Sequence, residues 1–454
     1  MQTQAMQAMI RFGLGRRGRE PLPDDPAAWL REQLAAPDGA RFPAGLSDSA
    51  DGLIRLRTQR RTKQPGDPLV GPAFHADLLA QMTQCLASDQ PFRERLAWFW
   101  TNHFTVSLRQ GGTRAVIGPY VREAIRPHVT GRFSDMLLAV MRHPAMLMYL
   151  DNVSSIGPDS PAARRAARHG QLRGLNENLA RECLELHTLS PAAGYTQQDV
   201  TSFAAILTGW TIDMRADRPG FAFRPDAHQP GVKILMGRDF PPGEAGGVQA
   251  LSWLGTHPAT YAHLATRLAT HFIADVPPPA AIHAIAAALR QSGGDLGTAS
   301  HALIARPEAW RPGTKLRQPF FYAVAALRAL DPPLPGHAAD GPAPDSGAAP
   351  HPPAAWLLAD ATRTMGQPPW DAPLPNGWSD RAADWAAPAD LIARAEWAYR
   401  LAGHDVAAEA DPLAIAQAGL GPLLRPATRA AIRHAGSRRD ALTLLFTAPE
   451  FQRC

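Results

Sequence analysis

Cysteine is almost missing from this chain. Cys85, Cys183 and Cys454 are the three in 454 residues, far apart and odd in number, so they supply neither a disulfide framework nor a Cys-based zinc site. Lysine is just as scarce: Lys63, Lys233 and Lys315 stand against a combined 46 lysines and arginines. Together with abundant Ala and Pro this reads as a bias toward GC-rich codons, and it makes each lysine worth locating. No window approaches the roughly 18 uninterrupted apolar residues that a membrane span needs. The opening MQTQAMQAMIRFGLGRRGRE has no apolar signal core and no small-residue cleavage site, so the chain reads as cytosolic or as lacking an export segment. H-E-x-x-H, G-x-S-x-G, C-x-x-C and the P-loop are absent as well, which removes the common zinc proteases, elbow-type serine hydrolases and P-loop NTPases. The net charge of +5 is spread along the chain. It permits weak attraction to anionic surfaces without the clustered footprint of a nucleic-acid binder, and neither nucleic acid nor a membrane span is expected.

What is present is helical. An apolar fraction of 45% and a charged fraction of 19% are those of a globular protein. Asp25-Pro26 opens AAWLREQLAA with an Asp cap and Pro in the first turn. Thr196 caps TQQDVTSFAAILTGW, with Asp199 in a capping-box position. In FRERLAWFWTNHF, Leu96, Phe99 and His103 share a face, and in HPATYAHLATRLATHFI so do Tyr261, Leu264, Leu268 and Phe272. The expectation is a mainly α protein. A multi-helix body covers 1–330 with one small β-hairpin at about 221–240; a Pro/Ala/Gly-rich linker or loop follows at 331–355, and a C-terminal helical part, 356–454, packs on the body. Residues 157–173 read as a second mobile loop. Gly13, Gly15 and Gly18 spell G-x-G-x-x-G, but no strand precedes them, and a turn-forming loop is the better reading.

Chemistry concentrates between Gly174 and Trp210. Asn176, Glu177, Asn178, Arg181, Glu182, Glu185 and His187 crowd a segment that otherwise reads as a buried helix, where carboxylates and imidazoles are costly without compensation. On an α-helix Asn178, Glu182 and Glu185 share one face, and Asn176, Cys183 and His187 another. Glu182, Glu185, His187 and Arg181 are the candidate catalytic groups. Glu182, Glu185 and His187, with His103 and His228 from neighbouring elements, are candidate ligands for a divalent metal ion such as Mn, Fe, Zn or Ca, which would activate water or O2 in a hydrolytic or oxidative enzyme. The alternative is a Glu/Arg/Asn network that only knits helices together, Arg181 being spaced for ion pairs with Glu177 and Glu185. Lys233, five residues after His228, and Lys315 mark places where a tunable ammonium is of use. MGQPPWDAPLPNGWSDRAADW (365–385) either lines a pocket or pins a long loop by its tryptophans.

RFGLGRRG, FWTNHF, MLMYLDN, NENLARECLELHTL, GYTQQDV, LTGW, H-x-x-G-x-K and GQPPW…NGW…W, in that order, resemble the bacterial "domain of unknown function 1800" family over nearly the whole chain. The resemblance implies a large, mainly helical bacterial protein. Many such proteins are exported, and they are often encoded near a sulfatase-like, twin-arginine-exported family; this implies a periplasmic or envelope setting and a protein partner from that family. An envelope scaffold is therefore the alternative to an enzyme. The chain departs from the family pattern twice: His228-Gln229 stands where the family has His-Asp, and Thr188-Leu189-Ser190 where it has Thr-Leu-Gly. The first removes a carboxylate from any metal site in that loop; the second reads as a change of turn.

Overall fold

Proline sets the helix boundaries. In the computed structural model, which describes residues 2–62, 66–169, 174–334 and 354–454, Pro26, Pro91, Pro144, Pro161, Pro258, Pro279, Pro319, Pro388, Pro412 and Pro426 each sit in the first turn of a helix. There the missing N–H costs nothing and φ is already helical. Caps complete the start signals: Asp25 accepts from Ala28 N, and Thr196 and Asp199 form the reciprocal capping box. The stripe Tyr261, Leu264, Leu268, Phe272 is buried throughout on the helix Pro258–Phe272, and Leu96, Phe99 and His103 are buried on Pro91–His103.

The protein is mainly α with two small antiparallel ribbons. The strand segment lies where the sequence placed it, but its halves do not pair with each other. β2 (Gly220–Phe223) pairs back onto β1 (Trp210–Asp213), whereas β3 (Lys233–Leu235) pairs with β4 (Arg238–Phe240). Residues 161–168, read as part of a mobile loop, form a helix capped by Ser160; most of the 331–355 stretch (335–353) lies outside the described residues. One hydrophobic cluster includes residues from Met6 to Cys454, and Leu316 bridges Arg453 as an isolated antiparallel pair.

Among the described residues three segments wind as π-helix: Ala8–Phe12, Val121–Ile125 and Cys183–His187. The wider turn changes which side chains share a face, and such turns recur at functional sites. In the first, Arg11 is fully buried and donates to the main-chain oxygens of Phe272 (2.8 Å), Ile273 (2.9 Å) and Arg311 (2.9 Å). The glycine run follows it as a loop: Gly18 N donates to Arg328 O (2.8 Å), and among the described residues no strand precedes it.

Candidate functional site

The acidic motif helix is shorter than its sequence pattern. Asn178–Glu182 is α-helical, and Cys183–His187 continues as π-helix, so the face assignments made on a 3.6-residue period fail beyond Glu182. Arg181 pairs with Glu177 (2.9 Å) and with Gln197 Oε1 (2.9 Å), and Glu177 also accepts from Thr201 (2.7 Å). That half of the motif is a structural tie to the helix Gln197–Leu207. The Arg181–Glu185 ion pair expected from spacing does not form. Glu182 and Glu185 are half-buried, with no hydrogen bond or ion pair among the described residues. Burial and then the charge of Glu185 raise the Glu182 pKa, against Arg181, and burial with Glu182 pushes Tyr149 up to about 12.

His187 turns the other way, into a nest of imidazoles. His103 Nε2 donates to the His187 carbonyl (3.1 Å) and His263 Nε2 to the Leu186 carbonyl (2.9 Å); the His103 ring lies 6.1 Å from His187 and 6.0 Å from His263, centroid to centroid. Both ring nitrogens of His187 are buried without a hydrogen-bond partner, and burial followed by His263 depresses its pKa to about 3. His103 therefore faces the motif helix, as its candidacy required. His228 does not join them. Its Nδ1 donates to Thr208 O (2.8 Å), and its Nε2 accepts from Gly243 N (2.9 Å) and Lys233 Nζ (2.9 Å). Burial lowers Lys233 to about 8, while Gln229, in the family's Asp position, pairs with Asp159 (2.8 Å). The five candidate ligands thus divide into a carboxylate pair, a histidine nest containing His103 and His187, and a separate His228–Lys233 joint. Among the described residues no three His, Cys, Asp or Glu side chains are gathered as metal ligands.

The motif segments converge elsewhere. Asn152 Nδ2 of MLMYLDN donates to Trp210 O of LTGW (2.9 Å). Asn102 of FWTNHF clamps Trp378 of NGW by both amide ends: Trp378 N to Oδ1 (2.7 Å) and Nδ2 to Trp378 O (2.8 Å). Gly377 passes so close, at φ +73°, that a Cβ would lie 2.5 Å from Asn102 O, so only glycine fits. The Asn102–Trp378 clamp walls a pocket lined by Trp98, Phe99, Asn102 and Thr105 from one segment, Gln367, Trp370, Ala372 and Trp378 from another, and His271, Gln318, Phe320 and Phe321. About 50 Å³ of it admits the centres of water-sized groups, where one water needs roughly 10–15 Å³, so a few waters or one small organic group fit.

His271 is the titratable group of that wall. Its Nδ1 donates to Asp380 Oδ1 at 2.6 Å, and Gln318 Nε2 donates to the same oxygen at 2.8 Å. Lys315, one of the three lysines, bonds Asp380 O and Asp275 Oδ1, both at 2.5 Å. Burial alone would raise the Asp380 pKa, but His271, Arg267 and Lys315 bring it down to about 2. Burial outweighs Asp380 at the imidazole and lowers His271. The ring is neutral at pH 7, with Nδ1–H fixed and Nε2 left as the basic nitrogen; Arg95 Nε reaches it only at 3.4 Å.

A profile of the family described as "Protein of unknown function (DUF1800)" matches residues 7–453. The chain belongs to the DUF1800 family. No curated protein and no solved structure gives a match. In this DUF1800 protein the sequence pattern exposed the pocket walls but not the His271–Asp380 pair, whose members are 109 positions apart. One signal was there to read: His263, Arg267 and His271 recur at i, i+4 and i+8 along the flank of the apolar stripe, a row of polar side chains at the edge of a core-facing helix surface.

Proposed function

We propose that this DUF1800 protein binds a small, mainly apolar molecule in the motif-walled pocket and acts on it by proton transfer at His271, oriented by Asp380. The observation that carries this reading is the buried Asp380–His271 hydrogen bond of 2.6 Å beside a cavity walled by Trp98, Trp370 and Trp378. A carboxylate on Nδ1 fixes the tautomer and stabilises the imidazolium formed when Nε2 takes a proton, which is the logic of a general base and its orienting partner. The pocket's amides are already engaged: Asn102 with Trp378, and Gln367 with Gln318 and Phe320 N. The open polar atoms beside a ligand are therefore few, Trp370 Nε1 being a buried one without a partner, and the walls favour an apolar or aromatic group.

Indole binding, followed through pocket tryptophan fluorescence, and phenyl acetate hydrolysis test the proposal. The expected results are saturable indole binding, abolished by Ala372→Leu, which places a bulkier side chain in the pocket lining, and a hydrolysis rate that falls with acid through a pKa below the ordinary imidazole value and is lost in His271→Gln. Saturable binding with a rate indifferent to His271→Gln removes the catalytic role; absence of binding removes the pocket reading and leaves the envelope scaffold, with its sulfatase-like partner, as the stronger account. A second reading keeps the divalent cation at Glu182 and Glu185, because neither carboxylate has a hydrogen-bond or ion-pair partner among the described residues and the charge of Glu185 lies close enough to raise Glu182. Its test is calorimetric titration with Mn2+, Zn2+ and Ca2+, with heat expected for the parent protein and lost in Glu182→Gln/Glu185→Gln.

A further inference from the structure

Two troughs run together between the N-terminal segment and the C-terminal helices Pro412–Leu420 and Pro426–Arg433. The first, of about 630 Å³, has Met6, Leu22 and Leu424 in its floor and Arg16, Arg19 and Arg429 on its walls. The second, of about 430 Å³, shares Leu424 and Arg429 and adds Arg433 and His434. No Asp or Glu lines either one. The most buried arginines of this protein are engaged by main-chain carbonyls or by carboxylates, as Arg328 and Arg126 are. Here Arg19 and Arg433 are exposed and have no partner among the described residues, Arg429 meets only Gln417 Oε1 (2.7 Å), and Arg16 donates to main-chain oxygens of Glu20 and Ala418.

We propose that this basic trough is a docking site for an acidic peptide segment of a partner protein, with carboxylates flanking an aliphatic side chain. Guanidinium groups bind carboxylates bidentately, and the buried apolar floor between them accepts a Leu- or Ile-sized side chain. The volume falls in the range of ligand-binding clefts, about 300–1,000 Å³. Nucleic acid fits the trough less well, because no Phe, Tyr or Trp among the described residues lines it, His434 being its one ring, and unpaired bases are held by stacking on aromatic faces. An unopposed group of like charges also gives electrostatic steering, which concentrates an acidic partner before contact.

The test is fluorescence anisotropy of a labelled octapeptide of Glu-Glu-Leu repeats at about 25 mM salt, where the screening length is long, with the full chain as receptor. Binding is expected, weakened about tenfold by Arg19→Glu/Arg433→Glu and also by raising salt to about 0.5 M. Both positions are exposed and partnerless, so the variant keeps its far-UV spectrum and Tm; Arg19→Gln/Arg433→Gln gives a smaller loss in the same direction. Absence of binding at low salt overturns the proposal. So does an affinity unchanged by the charge reversal, or an oligothymidylate of equal charge that binds as tightly as the peptide.

Discussion

Replacing His187 by leucine removes an imidazole whose two nitrogens are buried without partners, at nearly constant volume. A buried polar group left unsatisfied costs roughly 1–3 kcal/mol, so at about pH 7.5 the variant should equal or exceed the parent in stability by up to about that much. The pH dependence is the sharper readout. His187 has a folded pKa of about 3 against an ordinary 6.5, so below 6.5 the unfolded chain binds a proton that the native state refuses. Stability is complete above the unfolded value and declines as pH falls from there toward the folded value. At about pH 5.5, one unit below the unfolded pKa, this group alone accounts for about 1.4 kcal/mol of lost stability. Urea unfolding followed by tryptophan fluorescence at the two pH values should show the parent losing about 1.4 kcal/mol more than His187→Leu. His103, His263 and His271 are lowered too, so the variant keeps some acid sensitivity. Asp380, ionised down to about 2, adds no slope in this window. An identical loss in parent and variant, or a sharp drop in stability at neutral pH, would mean that the His187 nitrogens are held by a bound ion or water, and the reasoning would fail.

Four further outcomes follow from the geometry. Asp380→Asn leaves the Nδ1–H of a neutral His271 beside a neutral amide and should cost about 1.5–3 kcal/mol in urea unfolding, the range for a hydrogen bond to a charged group; a loss below about 1 kcal/mol would show that Asp380 carries no charge there. Ser190 sits at φ +61°, ψ 160°, a region that suits glycine, so Ser190→Gly should raise stability by about 1–3 kcal/mol, and an unchanged Tm would refute the strain. Gly377→Ala places a Cβ against Asn102 and Thr105; lowered Tm together with loss of indole binding is expected, and unchanged binding would detach the loop from the pocket. Glu182→Gln should bring the Tyr149 phenol down from about 12 toward its ordinary value in a spectrophotometric titration, and no movement would separate the two groups.

Helix starts were legible in the sequence because their causes are local. Asp25, Thr196 with Asp199, and the prolines each act within four residues, and the Tyr261–Phe272 stripe repeats with the helical period. The π turn at Cys183–His187 was not legible, since nothing in ELH distinguishes a wide turn from an α turn, and the outward Glu182/Glu185 and inward His187 follow from it. Ser190 was readable only as a departure from the glycine that the resemblance implies; its positive φ is a physical reason for a glycine at this position. The pocket stood half visible. FWTNHF, GQPPW and NGW announced themselves by composition, and Lys315 by its rarity, but His271 and Asp380 lie in ordinary local contexts and acquire their meaning only through a contact made across the fold.

Arg11 carries a consequence for how this chain is made. Its guanidinium bonds the Cys454 oxygen across 443 positions of sequence, in addition to carbonyls around 272 and 311. During ribosomal synthesis the cation emerges 261 residues before its acceptor at Phe272 and 443 before the one at Cys454. Closure over so long a separation is entropically slow, and in the interval the apolar segment around Ile10 and Phe12 stays open to wrong association. Expression yield should therefore respond to holdase chaperones more than the size of the finished core would suggest.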